Sequence, residues 1–471
     1  MVLPWTNPFS WGPNPEMLQR LSTGVCLALL LGLWSAGKLD FDSDATARRI
    51  ATAWLIAAVL SCIAGLLQYF GYADALAAGW INHAEPGQAY ANLRQRNQFA
   101  TLTSIGLVAL LCLADTPRSA RFPRLRTATL VAALLLLATG NAASSSRTGA
   151  LQWLMVAGLA WYWGHKKSVP ATRWATWALG AYVMANLALP TLLQSVIGVS
   201  SANALERFQE QSGCGDRSVL WANVMHLIAQ KPWWGWGWGE LKFAHFITPY
   251  AGERFCEILD NAHNLPLHLS VTLGIPLAVL TMALCAGLIG RAKPWRAVRT
   301  EHQMAWGVIA ALGLHSLLEY PLWYGPFQMA LLLCVALLWP PVTRVSGRVA
   351  CGVLAGWLVA AIGYAALDYW RVGQLYLPTS QRHADYQEDT LQKVRNSWIF
   401  QDEVRFAEVT TTPVTPENAE KMYAQALQAL HFSPEPAVIT PLLQSAEVSG
   451  ADGEVLARIR AQAHKVYPVE F

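Results

Sequence analysis

Ten stretches of this chain run close to twenty residues with hardly a charge among them, and no other feature limits its fold so tightly. They lie at about 21 to 37, 50 to 72, 97 to 114, 127 to 142, 148 to 164, 174 to 195, 265 to 290, 303 to 318, 326 to 340 and 349 to 368. A helix rising about 1.5 Å per residue needs about 20 residues to cross roughly 30 Å of hydrocarbon. The expected fold class is therefore all-α: a polytopic transmembrane helical bundle of about 10 spans, with one large loop and a C-terminal soluble helical domain. Composition agrees, because 14% charged residues is far below the roughly 25% of a soluble domain. That shortfall excludes a cytosolic globular enzyme and a disordered chain. The net charge of +4 implies no nucleic-acid partner.

Orientation follows from the short loops, since positive charge is retained on the cytoplasmic side. One set carries Lys38, Arg48 and Arg49, then Arg118, Arg121, Arg124 and Arg126, then Lys166, Lys167 and Arg173. It continues with Arg291, Lys293, Arg296 and Arg299, then Arg344 and Arg348, which makes sixteen basic residues expected inside. The opposite short loops hold only Arg94, Arg96 and Arg147. Four regions are expected: 1–195, N-terminal transmembrane helices; 196–262, a large periplasmic loop; 263–370, C-terminal transmembrane helices; and 371–471, a soluble helical periplasmic tail. This topology puts Met1 outside without a cleavable-signal pattern, so an odd number of upstream spans is expected in homologous chains. Trp5, Phe9 and Trp11 are then expected as an interfacial belt.

Six cysteines, at 26, 62, 112, 285, 334 and 351, fall inside apolar stretches as small hydrophobes. Cys214 and Cys256 share the long loop, where an oxidising compartment permits a disulfide closing about 43 residues, worth roughly 3 to 4 kcal/mol. In the tail, helical patterns such as Ala419 to Leu430 and Glu454 to His464 alternate with proline breaks at Pro413, Pro416, Pro434 and Pro436. They read as two or three helical hairpins for packing or partner docking.

Polar clusters at membrane borders are the candidates for chemistry, because burying them costs several kcal/mol unless they are paired or hydrated. Four are expected on the outer side. "NLRQRNQFA" packs Arg94, Gln95, Arg96, Asn97 and Gln98 together, and on its own suits a snorkelling rim. "SSSRTG" sets Arg147 among hydroxyls; a guanidinium fork suits diphosphate oxygens, and helix N-termini add donors for the same anion. The loop carries "GDRSVLWANV", with Arg217 opening a helical pattern after a cap between Ser212 and Asp216. It also carries "KPWWGWGWGE", which does not match GxGxxG and reads as a turn in an interfacial aromatic platform whose indoles could also stack on sugars. "DNAHNLPLHLSVTLGIP" brings His263, flanked by Asp260, Asn261 and Asn264, to the mouth of an apolar span, with His268 one turn further in. "HSLLEYPLWYGPF" adds His315, Glu319, Tyr320 and Tyr324.

This ordered set resembles the O-antigen ligase superfamily, most of all its pilin-type protein O-oligosaccharyltransferase branch, over most of residues 50 to 340. The resemblance implies a bacterial inner (cytoplasmic) membrane enzyme, multi-pass, with its active site on the periplasmic face. It would move a glycan from undecaprenyl diphosphate to an acceptor hydroxyl, on a protein such as pilin or on lipid A core, with membrane lipids as surroundings. Diphosphate is already a good leaving group, so the protein mainly has to neutralise it while a base serves the hydroxyl. On that reading His263, Arg217 and Arg147 are catalytic: the arginines clamp diphosphate, and His263 acts either as base or as phosphate ligand. Arg94, Gln95, Arg96, Asn97, Asn264, Glu319, Tyr320 and Tyr324 are substrate-binding candidates, with the matching tyrosine left open.

No cofactor or metal is expected. "DFDSD", Asp40 to Asp44, lacks the glycine and glutamate of an EF-hand, having Ala45 and Ala51 at those positions. An O-antigen polymerase, with a second lipid-linked repeat as acceptor, is the nearest alternative. A transporter is disfavoured because its charges would gather near the midplane.

Overall fold

The structure, a computed structural model, describes residues 1–115, 123–167, 169–200, 213–341, 345–451 and 453–468. Arg118, Arg121, Ser212 and Arg344 lie outside the described residues, as do the side chains of Lys166 and Lys167. Among the described residues the regular elements are helices, with no strand. The first eight are α1 (Leu3–Thr6), α2 (Met17–Ser35), α3 (Asp44–Tyr69), α4 (Ala73–Ala77), α5 (Arg96–Asp115), α6 (Pro123–Ala143), α7 (Arg147–Lys167) and α8 (Val169–Ile197). There follow α9 (Arg217–Gln230), α10 (Leu241–Ile247), α11 (Leu265–Leu273), α12 (Ile275–Ala292), α13 (Thr300–Ser316), α14 (Gly325–Leu338) and α15 (Val345–Gly373). The last are α16 (Thr390–Val394), α17 (Gln401–Thr411), α18 (Ala419–Phe432), α19 (Pro436–Ser449) and α20 (Gly453–Val466).

Each of the ten apolar stretches is helical, but that at 265 to 290 is two helices rather than one. Gly274, at φ +88°, separates α11 from α12, and Pro276, two residues on, supplies no N–H to continue the ladder. Among the described residues seven helices are long and apolar enough to cross a membrane: α2, α3, α5, α6, the 171–197 part of α8, and the segments beginning with α12 and α15. The stretches at α7, α13 and α14 do not meet that standard of length and composition.

The chain divides into two compact units. The first comprises Met1–Ser10, Pro15–Glu210 and Leu288–Ile362. Its core is rich in small residues that let backbones approach closely, as at membrane helix interfaces. A Cβ on Gly106 would stand 2.5 Å from that of Ala58, and one on Gly140 would collide with Cys62. Trp5 is fully buried, edge-on to Phe327 at 5.1 Å. That corrects the expected belt: α1 turns the indole into the core, and Phe9 alone of the three is mostly exposed.

The second unit holds Trp11–Asn14, Gln211–Gly287 and Gly363–Phe471. Trp11 meets Tyr369, whose hydroxyl donates to the Asn14 carbonyl at 2.7 Å. Here the long loop and the tail, separate regions by sequence, fold together. Leu241 and Ala244 of α10 share a core with Leu220, Val224 and Leu227 of α9, while Phe246 joins Met422, Leu430, Ile439 and Leu442 of the tail. His431 stacks on Phe243 at 3.8 Å and pairs with Glu240 at 2.6 Å. The two helical patterns expected in the tail correspond to α18 and α20.

Candidate functional site

In the first unit the candidates collect at the starts of α5 and α7 and just beyond the end of α13. Buried Gln68, at the end of α3, accepts from the Tyr90 and Ala91 amides and donates to the Asn82 and Ala91 carbonyls. Asn92 donates to the carbonyls of Thr6 and Trp80. These amides fix the segment that delivers Arg94 to Asn97. At the α6–α7 hairpin, Ser145 is left-handed at φ +51° and the Ser146 hydroxyl accepts from the Gly149 amide at 3.0 Å. A Cβ on Gly149 would stand 2.7 Å from both Ala100 and Asn141, so only glycine lets α7 come this close.

One side chain ties these elements together. Asn97 accepts from the Ser146 hydroxyl at 2.6 Å and donates to Glu319 Oε1 at 3.0 Å, while Gln95 donates to Oε2 at 3.4 Å. Both carboxylate oxygens of buried Glu319 therefore receive amide N–H groups. Arg96 and Arg147 are the first residues of α5 and α7, where the helix dipoles favour an anion. Arg147 is exposed and Arg96 half-buried. Directly beneath, His315 meets Thr101 at 2.8 Å, and Gln152 joins Thr101, Ser104 and the Ala311 carbonyl. Sequence reasoning missed Gln152, Thr101 and Ser104, although polar residues at i and i+3 inside an apolar stretch were a signal.

Other candidates have structural duties. Arg94, left-handed at φ +60°, donates to the Pro15 and Pro8 carbonyls and so anchors the N-terminal segment. Tyr324 hydrogen-bonds Glu16, whose carboxyl burial pushes up and Arg20 pulls back. Its ring stacks on Tyr320 at 5.8 Å, which leaves the partly exposed Tyr320 as the more available of the two.

The second unit carries Arg217 and His263. Asp216 caps α9 by accepting from the Ser218 amide at 3.4 Å, so Arg217 is the first helical residue. Trp221, one turn on and on the same face, donates its indole N–H to the Ala262 carbonyl at 3.0 Å. The Arg217 end of α9 thereby abuts the His263 loop. His263 sits at φ +49° with its amide on the Asn261 side chain at 3.0 Å, a left-handed conformation uncommon outside glycine and asparagine. Asn264 caps α11 by accepting from the Leu267 amide at 3.1 Å, which makes it a support of His263 as much as a ligand group.

In the same unit, Cys214 and Cys256 are joined as a disulfide with Cα atoms 5.5 Å apart. The neighbouring His245 is buried between the Tyr250 hydroxyl and the Phe255 carbonyl. Burial, aided by Arg254, holds its pKa down at about 3, so it is neutral and structural. Among the described residues no group of three histidine, cysteine or acidic side chains is placed to hold a metal ion.

Three family models match the chain in succession. Residues 89–114 match the family described as "Protein glycosylation ligase", residues 132–282 match "O-Antigen ligase", and residues 303–471 match "Virulence factor membrane-bound polymerase, C-terminal". The chain is 27% identical over 371 residues to the "General O-oligosaccharyltransferase" of Acinetobacter baylyi, covering 75% of this chain and 63% of the relative. It is 24% identical over 244 residues to the "ComP-specific O-oligosaccharyltransferase" of the same organism, covering 51% and 42%. The chain thus spans less than two thirds of the length of the curated relatives it matches. No solved structure matches it. The matched segments include Arg94 to Asn97, Arg147, Arg217, His263 and Glu319 in one ordered series, and over them the chain is similar to O-antigen ligases and to protein O-oligosaccharyltransferases.

Proposed function

We propose that this chain transfers a preassembled glycan from undecaprenyl diphosphate to a hydroxyl group of an acceptor protein such as pilin, at the periplasmic face of a bacterial inner membrane. The observation that carries this reading is the Ser146–Asn97–Glu319 chain of hydrogen bonds, which ties two helix starts, each opening with an arginine, to a buried carboxylate. Arg96 and Arg147 bind diphosphate oxygens, and Arg217 offers a third guanidinium. The acceptor oxygen attacks the anomeric carbon through an oxocarbenium-like state as the bond to phosphate breaks. His263 takes the hydroxyl proton, and the diphosphate leaves with the electron pair. The names of the relatives support a protein acceptor.

The match to a membrane-bound polymerase over residues 303–471 favours a second reading, in which the acceptor is another lipid-linked glycan. Purified protein incubated with undecaprenyl-diphosphate glycan and either pilin, lipid A core or excess donor separates the cases. A mass increase on pilin supports protein glycosylation, one on lipid A core supports a ligase, and chain growth on the donor supports the polymerase. No transfer to any of them overturns the proposal.

A further inference from the structure

The tryptophan-rich segment that follows α9 has no part in the chemistry proposed above, yet it is built into the element that carries His263. Its backbone lies directly on the break between α11 and α12. The Trp236 amide donates to the Val271 carbonyl at 2.8 Å, Gly237 to Thr272 at 3.0 Å, and Ile275 back to Pro232 at 2.8 Å. The two chains touch closely enough to demand glycine on both sides. A Cβ on Gly235, at φ +69°, would stand 2.5 Å from the Thr272 carbonyl group, and one on Gly274 would collide with the Trp233 carbonyl. The segment is therefore a strap across the helix break.

Its indoles divide into two groups. Trp236 turns inward, donating to the Leu227 carbonyl at 3.0 Å with the Lys231 ammonium 4.0 Å from its ring centroid. Trp233, Trp234 and Trp238 face outward and are 72%, 88% and 61% exposed. Three exposed tryptophans on one rigid turn are costly in water, at about 25 cal/mol per Å² of apolar surface. They stand where α12 begins, and α12 is itself bare: Leu277, Val279, Leu280 and Leu284 are between 45% and 60% exposed along a segment apolar and long enough to span. The exposed indoles thus continue the apolar surface of a membrane helix at its end, the depth at which indole's apolar body and N–H both find partners.

We propose that the outward tryptophans of this strap dock into the headgroup–glycerol boundary of the membrane, and that the strap thereby fixes the height of the α11–α12 break. Since α11 is capped by Asn264 and begins two residues after His263, the same contact holds the His263 loop at a constant level above the hydrocarbon. The membrane contact stands by itself; its consequence for donor use rests on the transferase reading.

The test uses the full chain labelled with 5-fluorotryptophan in phospholipid nanodiscs, with the three fluorine resonances assigned by single Trp→Phe variants. Nitroxide placed on the lipid headgroup is expected to broaden all three at least about threefold more than a water-soluble gadolinium chelate or a nitroxide at the chain terminus. Broadening mainly by the chelate overturns the proposal. In a second arm, Trp233→Ala combined with Trp234→Ala is expected to raise KM for undecaprenyl-linked donor in nanodiscs about tenfold at nearly constant kcat. A short-chain donor in detergent should be used as well by the variant as by the parent. Equal loss with both donors means that the indoles contact the glycan, and rejects a lipid-docking role. An inactive parent chain rejects the transferase reading and leaves the fluorine result intact.

Discussion

The two units hold their candidate residues in different ways. In the helical bundle, Asn97, Gln95, Ser146 and Glu319 are positioned by side chain to side chain hydrogen bonds at helix ends, over a second buried layer of Thr101, Gln152 and His315. In the loop-and-tail unit, Arg217 and His263 are positioned by the backbone: a cap at Asp216, a left-handed residue between two asparagines, and a disulfide nearby. A residue held through its own side chain cannot be replaced without disturbing its supports. One held through its backbone can lose its functional group while the loop keeps its shape. Function and stability should therefore separate in the loop unit and remain coupled in the bundle.

The largest effect tests the loop half of that contrast. His263→Ala and Arg217→Ala should each lower transfer about a thousandfold, roughly 4 kcal/mol on the barrier, with thermal midpoint and membrane insertion unchanged. Near-normal turnover in both variants would falsify the site assignment. Next, Cys214→Ser should cost the loop unit about 3 kcal/mol through lost loop closure. Hydrogen exchange should accelerate in α9, α10 and the 249–262 segment while α3, α5 and α6 keep their protection. Equal acceleration in both units would erase the contrast between them.

A smaller effect probes the bundle. Glu319→Ala strands two amide donors and should cost about 2 kcal/mol of bundle stability together with most of the activity, measured by denaturant titration and transfer assay on one preparation. Loss of activity alone would place Glu319 with the backbone-held residues. The last effect is a pH slope. The folded His245 binds its proton only near pH 3, against 6.5 when unmasked, so the unfolded state takes up the proton first as pH falls. Stability of the loop unit should therefore be complete above about pH 6.5 and decline progressively towards pH 3. His245→Gln should flatten that decline, as read from loop-peptide exchange at several pH values.

Much of this architecture was legible in the sequence because the forces that set it act locally. An apolar run of sufficient length has few options other than a helix, and the Asp216 cap before Arg217 declares itself locally. The arginine, asparagine and histidine clusters were visible for the related reason that polar groups are rare in such a chain. What stayed hidden depends on contacts between distant segments. Trp5 has the flanking prolines of an interfacial residue, and only its packing on Phe327 turns it inward. The break at Gly274 is enforced by a strap some forty residues upstream, whose hydrogen bonds leave no periodic mark. Arg94 and Arg96 look equivalent in "NLRQRN", yet carbonyls about eighty residues away claim the first. Likewise, nothing near residue 246 announces that its phenylalanine belongs to a core completed by α18 and α19.

That shared core also bears on how the chain is made. Glu240 waits for His431, 191 residues later, and Phe246 for Leu442. During synthesis the loop's apolar face therefore stays open while seven more helices, α11 to α17, are laid down, and it closes only when α18 and α19 emerge. Such a long-range closure is slow and exposed to wrong pairing. A ribosome stalled before residue 419 would thus release a chain whose bundle is complete but whose loop has no second wall, a natural target for quality-control proteases.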